Sequence, residues 1–389
     1  MAKEIIVLGC GMAGVSAALY ARERGAKVKI IAEGFAGSAM SSGSFVDREP
    51  DGSPYGTLDE EKINFLGKIL PGFAFAAGGA QIANAFGTLA PVKVVAPWHK
   101  NAVITRDGGA KKILLVGLYE LPAFWPAFAA KNFNANIGVA ARFEGVSLPQ
   151  LPLDDPTVYE LADWLDSDAG LEQFAKLLNA IERVNLYDAV LLPPVIGRKA
   201  ATLGRLADST GLPLSEFWAP WGVAGERMNK KLLDEAAAAG IEFVRAKIEG
   251  IEIASGAVKQ INLNGAPHAE VPAGAAVIVA IGGALLAGKD LGVEHYRPPV
   301  NLPWAMTEDE WITKDPSRLF ATTVDGRDPG LTIGVEVDES MRIKDKFGAI
   351  WAGNAFAAGD AIGGRGPGSG GLLRAFATGI EAALRALTV

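Results

Sequence analysis

A chain of 389 residues is too long for one small core and implies about two or three domains. Apolar residues at 49% and charged residues at 21% exclude global disorder, and a net charge of −7, from 37 basic and 44 acidic residues, disfavours nonspecific nucleic-acid binding. The single cysteine, Cys10, excludes disulfides and any cysteine-ligated iron–sulfur cluster or zinc site within the chain. The opening Met1-Ala2-Lys3-Glu4 runs straight into a strand without a secretory signal, and no apolar stretch reaches the roughly 20 residues that cross a bilayer. A cytoplasmic protein is expected.

Ile5–Leu8 is an apolar run that predicts a buried parallel strand, and Met12–Arg24 predicts a helix with small residues at Ala13, Ala17, Ala18 and Ala21. Gly25 ends that helix, and Val28–Ile31 starts a second strand. Between the first strand and the helix lies Gly9-Cys10-Gly11-Met12-Ala13-Gly14. In a βαβ context this spacing is a dinucleotide fingerprint: Gly9 permits the tight turn, Gly11 admits a pyrophosphate, and Gly14 allows close helix–strand packing. The helix N-terminus adds N–H groups and partial positive charge. Cys10 reads as a small filler in this loop, not as a redox thiol. The acid that would hold the adenosine ribose is expected at the end of the second strand; Ala32 occupies the usual place and Glu33 follows it. Glu33 is either that ligand or a solvated loop acid.

Residues 46–57 form a turn-rich exit from the nucleotide fold. Strands are expected at Ala102–Thr105 and Lys112–Val116 around the Arg106–Gly109 turn, and helices at Val158–Leu165 and Phe174–Ile181. Ala189–Leu192 predicts another buried strand, Gly225–Ala239 a helix, and Phe243–Ile248 the next strand, in which Lys247 is a candidate to line the cofactor. Val277–Ile281 before Gly282-Gly283 returns to the nucleotide sheet and makes Gly282 another candidate. Near the C-terminus, Gly359-Asp360 follows a short strand, and Gly370, Gly371 and Leu372 open the last helix. The expected fold class is therefore α/β, a Rossmann-like FAD-binding domain assembled from 1–45, 189–285 and 346–389. An α+β substrate-side domain is inserted as 46–188 and 286–345.

The Gly359-Asp360 block resembles the second flavin motif of two-dinucleotide-binding-domain flavoproteins. That resemblance implies contact of the aspartate with the ribityl or pyrophosphate region and places the following helix N-terminus toward the flavin pyrimidine edge. Ser41, Ser42 and Gly43, with Ser44 and Phe45, stand where related flavoproteins bring small residues under the isoalloxazine; a polar surface turn is the alternative.

Beyond these motifs, the chain resembles the B subunit of anaerobic glycerol-3-phosphate dehydrogenase nearly end to end. The middle blocks carry the more specific part of the likeness: Gly117–Phe124, Leu191–Pro193 with Val195–Gly197, Gly225 with Arg227, and Gly334-Val335 with Asp338 and Arg342. The resemblance implies oxidation of glycerol 3-phosphate to dihydroxyacetone phosphate, with electrons passing through an iron–sulfur subunit to membrane quinone. It also implies a second, catalytic flavoprotein subunit, and membrane contact only through partners. FAD is the expected cofactor and FMN the alternative.

Substrate contacts are harder to read. A phosphate-bearing substrate calls for guanidinium groups, which makes Arg227, Arg365 and Arg374 the candidates, with Arg198 and Lys199 behind them. The general base is not assignable: His99, His268 and His295 are the only histidines. A flavin relay or scaffold subunit without a substrate of its own is the competing function. The apolar segments Leu121–Phe128 and Trp218–Trp221 are expected either to contact partners or to be core.

Overall fold

The computed structural model describes residues 2–34, 36–46, 58–105, 111–136, 141–219, 221–283, 300–304, 334–363 and 371–389. The chain divides into two compact units, one made of Met1–Gly37, Arg48–Leu70 and Asn229–Val389, the other of Ser38–Asp47 and Pro71–Met228.

The first unit is built on five parallel strands. The strand β1 (Glu4–Leu8) leads through the helix α1 (Met12–Glu23) to β2 (Lys27–Ala32). Strand Glu242–Arg245 pairs with the outer side of β2, while Ala276–Val279 pairs with the other side of β1 and is followed by Ala355–Ala357. Ile5–Leu8 and Ala276–Val279 are buried throughout, as expected for central strands of a parallel sheet covered on both faces. The exposed edge, Glu242–Arg245, carries charged residues at both ends, and the opposite edge is covered where Arg342 bridges Phe356. A three-stranded antiparallel sheet, Lys247–Ala254, Ala257–Asn264 and Ala269–Glu270, follows directly from the exposed edge. Helix Glu60–Ile69 and the C-terminal helix Gly371–Thr388 also belong to this unit.

The second unit has its own parallel sheet, in the order Leu214–Glu216, Ala189–Leu192, Lys111–Gly117, Ala141–Ser147. Short antiparallel strands at Phe45–Val46, Gln81–Ala83, Leu89–Val95 and Val103–Ile104 form a second layer of pairing. Its apolar core gathers Ile82, Ile113, Leu115, Phe133, Phe143, Leu191 and Phe217. Helices Val158–Leu165 and Asp168–Asn179 begin at Thr157 and Ser167, whose hydroxyls accept N–H bonds from Glu160 and Gly170.

Three expectations change. Ala189–Leu192 is a buried strand but belongs to the second unit's sheet, so residues 189–228 do not continue the nucleotide fold. The strands at Val103–Ile104 and Lys111–Gly117 are not a hairpin: the first pairs with Gln81–Ala83, the second with two parallel neighbours. The boundaries at 45 and 46 also move. Ser41–Phe45 groups with the second unit, and the helix Glu60–Ile69 with the first. The partner-surface candidates divide: Leu121 and Phe124 are core, Trp125 and Phe128 are exposed, and Trp218 and Trp221 pack partly buried against the core.

Candidate functional site

The parallel strands of the first unit end in line. Leu8 stands opposite Ile31 on one side and Val279 on the other, Ile31 opposite Val244, and Val279 opposite Ala357. From this row the chain emerges as Gly9–Gly14 after β1, Glu33 after β2, Lys247 after Glu242–Arg245, Gly282 after Ala276–Val279, and Gly359-Asp360 after Ala355–Ala357. The order of the strands reverses at β1, which has β2 on one side and Ala276–Val279 on the other. In open α/β sheets a crevice forms at the carboxyl ends of the strands beside such a reversal, and ligands bind there.

Backbone contact makes the glycines necessary. Gly9 adopts φ of +111°, and a Cβ there would stand 2.2 Å from the Ala280 carbonyl oxygen on the neighbouring turn. At Gly14 a Cβ would meet the Gly9 carbonyl oxygen at 2.1 Å, so α1 sits directly against the end of β1. Gly11 is the N-cap of α1 in extended backbone; no side chain caps this end, and its first turn contains no acid. The positive end of the helix dipole, at Met12, Ala13 and Gly14, is thus uncompensated by any carboxylate of its own first turn, which fits an anionic pyrophosphate. Cys10 is buried, and burial pushes its thiol up from the ordinary range, in keeping with a filler.

Glu33 is exposed and is the first residue after β2, while its backbone carbonyl accepts a 3.0 Å bond from Arg245 Nε. Lys247 begins the strand that follows the edge strand, after Ala246 N–H has bonded the Ala32 carbonyl. Gly371 and Leu372 form the start of the C-terminal helix. Gly370 and Arg365 lie outside the described residues.

Two of the arginines expected to hold substrate phosphate are committed elsewhere. Arg227, whose side chain is 1% exposed, donates to both carboxylate oxygens of Glu216 at 2.7 and 2.8 Å and through Nε to the Gly197 carbonyl at 2.8 Å. Glu216 Oε1 also accepts the Ile196 N–H at 2.9 Å. This is an internal, bidentate ion pair, and it leaves Arg227 no surface to offer a substrate. Arg374 is likewise buried, and its guanidinium donates to the Gly363 carbonyl at 3.1 Å, just beyond Asp360.

Ser41, Ser42 and Gly43 form part of a buried assembly in the second unit. Ser41 Oγ donates to the Ser38 carbonyl at 2.7 Å and accepts the Gly43 N–H at 3.2 Å, and Trp98 Nε1 donates to the Ser42 carbonyl at 2.9 Å. The Arg227 guanidinium stands 5.3 Å from the centre of the Trp98 ring. Ser44 Oγ lies 2.7 Å from His99 Nδ1 and accepts the Ala96 N–H. Burial, and then the charge of Arg227, bring the His99 pKa down to about 3, against the pull of the Phe217 carbonyl. His99 is therefore neutral and structural. His268 is exposed near Glu270, and His295 lies outside the described residues. Sequence reasoning missed Glu216 and Trp98; the signal available for Glu216 was a carboxylate directly before the apolar Phe217-Trp218 pair.

Among the described residues no cluster of acidic, histidine or cysteine side chains has metal-ligand geometry, and no helix is long and apolar enough to cross a membrane.

Known proteins point to the same segment. Residues 4–52 match the family described as "FAD binding domain". The match supports FAD as the cofactor of the Gly9–Gly14 fold. Over 93% of its length the chain is 25% identical to the probable B subunit of anaerobic glycerol-3-phosphate dehydrogenase from Halobacterium salinarum, strains R1 and NRC-1, covering 92% of each. That relative bears the name of the family the sequence resembles. Among solved structures, 3-ketosteroid delta1-dehydrogenase from Sterolibacterium denitrificans aligns at 11% identity and a TM-score of 0.42, over 99% of each chain. The GidA-related protein from Thermus thermophilus aligns at 12% identity and a TM-score of 0.34, over 100% of this chain and 99% of that one.

Glu216→Gln should destabilise the protein by about 3–5 kcal/mol in denaturant titration, because Arg227 is left buried without its countercharge. The pair Glu216→Leu with Arg227→Met should cost markedly less. For His99 the folded-state pKa lies below the unfolded value, so on acidification the unfolded chain takes up the proton first. Stability should therefore fall as pH drops from about 6.5 toward 3, with about one extra proton bound on unfolding that His99→Phe removes. Unfolding free energies measured at several pH values for both proteins check the sign.

Proposed function

We propose that this chain is the FAD-carrying subunit of a multisubunit oxidoreductase that oxidises a hydroxyl-bearing substrate. The reading is carried by one observation: both flavin motifs leave the same row of strand ends, Gly9–Gly14 at β1, where the strand order reverses, and Gly359-Asp360 two strands away, beyond Ala276–Val279. In this reading Gly9, Gly11, Met12, Ala13 and Gly14 hold the pyrophosphate, and Glu33 and Lys247 border the adenosine end. Gly282, Gly359 and Asp360 border the flavin chain, while Gly371 and Leu372 open the helix that faces the ring, and Gly370, outside the described residues, is a further candidate. FAD, when bound, supplies the hydride-accepting centre. The protein's part is to bind it, orient it and shield it.

The relative's name supports glycerol 3-phosphate as substrate and dihydroxyacetone phosphate as product. With one cysteine in the chain, any iron–sulfur centre for onward transfer to quinone lies on a partner, the alternative being direct transfer to a soluble acceptor, and a second flavoprotein subunit completes the proposed assembly. Membrane contact runs through those partners.

A second reading, a flavin relay subunit with no substrate of its own, is favoured by the internal bonds of Arg227 and Arg374. Of the three arginines proposed for substrate phosphate, Arg365 then carries that role alone if the chain is catalytic.

Acid release from the purified chain should yield FAD, and Gly11→Val and Asp360→Ala should each lower its occupancy several-fold while the protein stays folded. Wild-type occupancy in both variants contradicts the assignment. Anaerobic addition of glycerol 3-phosphate to the isolated chain should bleach the flavin absorbance if the chain is catalytic. Bleaching that appears only once the partner flavoprotein is added identifies the relay.

A further inference from the structure

We propose that Thr378 and Arg374 of the C-terminal helix are positioning residues that set the Gly359–Gly363 turn for the cofactor and tie it to the first turn of α1. The proposal rests on the FAD reading above. Thr378 is fully buried and sits one turn after Arg374 on the same face of the helix. Its hydroxyl accepts the Gly359 N–H at 2.8 Å and donates to the Arg374 carbonyl at 2.6 Å. One hydroxyl thus satisfies the first amide of the turn and anchors it to the helix. The far end of the turn is held by the Arg374 guanidinium on the Gly363 carbonyl. Asp360 lies between these two fastenings.

The same helix fixes the other side of the site. A Cβ at Gly379 would stand 2.4 Å from the Ala13 carbonyl oxygen, and a Cβ at Gly359 would stand 2.7 Å from Ala13 Cβ. Ala13, in the first turn of α1, is therefore pressed between the Gly359 turn and the C-terminal helix. A side chain at Gly359 or Gly379 would force the two motifs apart. A hydrogen bond lost at Thr378 leaves the buried Gly359 N–H unpaired, and the strain falls on the turn that carries Asp360.

Substitution of Thr378 by valine keeps the shape and removes the hydroxyl, whereas serine keeps the hydroxyl. FAD titration into apoprotein, the flavin midpoint potential and apoprotein melting are compared for wild type, Thr378→Val, Thr378→Ser and Arg374→Gln. The expected result is an FAD Kd raised about tenfold in Thr378→Val, with a displaced potential, and restored to within about twofold by Thr378→Ser. Arg374→Gln should weaken FAD in the same direction and provides the test if Thr378→Val fails to fold. Wild-type Kd and potential in folded Thr378→Val or, failing that, in Arg374→Gln overturn the proposal, as does a loss that serine does not rescue. Failure of the wild-type chain to bind FAD instead overturns the FAD reading on which it stands.

Discussion

Backbone meets backbone at Gly9 and Ala280, and much of the first unit depends on that contact. The turn leaving β1 and the turn leaving Ala276–Val279 lie side by side where the strand order reverses, too close for any Cβ. With the Gly9 turn fixed, Gly14 seats α1 against the Gly9 carbonyl, so the helix begins at the mouth of the crevice. The helix dipole is thereby aimed by sterics, before any ligand arrives. The same logic recurs at Ala13, pressed between Gly359 and Gly379. Small residues here do not mark flexibility; they let backbone segments converge at the site.

The second unit solves a different problem. One of its ion pairs is held inside: Arg227 and Glu216 are both almost without exposure, and the pair is joined by the Gly197 carbonyl and the Ile196 amide. A buried ion pair adds little net stability compared with apolar packing, but loss of one member is costly. Such a pair fixes geometry. It ties the end of strand Leu214–Glu216 to the loop after Ala189–Leu192 and stands over Trp98, whose indole holds the Ser42 carbonyl. His99 completes the assembly as a neutral imidazole beside Ser44. Residues that in a linear sequence suggest substrate chemistry are here spent on keeping a small, serine-rich loop in one shape.

Local chemistry was legible where the pattern is local. Ile5–Leu8, the glycines that follow and Lys27–Ala32 announce a βαβ unit because the glycines stand between a strand and a helix whose patterns are both local. Helix Val158–Leu165 was legible from its apolar spacing, whereas the spacing at Phe174–Ile181 found only the second half of the helix Asp168–Asn179, whose start is set by the Ser167 cap. Sheet membership was not. Ala189–Leu192 and Ala276–Val279 are both four-residue apolar runs buried on both faces, and nothing in either says which parallel sheet it joins. Arg227 and Arg374 looked like phosphate ligands because a guanidinium's partner lies far away in sequence; their acceptors, Glu216 and the Gly363 carbonyl, are 11 residues distant. Thr378 and Gly379 escaped notice inside an amphipathic helix, where only the packing shows their use.

The central claim is that the carboxyl ends of the first unit's parallel strands form the FAD site. Hydrogen–deuterium exchange of the apoprotein with and without FAD tests it most directly. The account predicts protection on FAD addition in two separate peptides, one spanning Gly9–Gly14 and the other Gly359–Gly363. FAD binding that leaves both peptides exchanging at the apoprotein rate would contradict it.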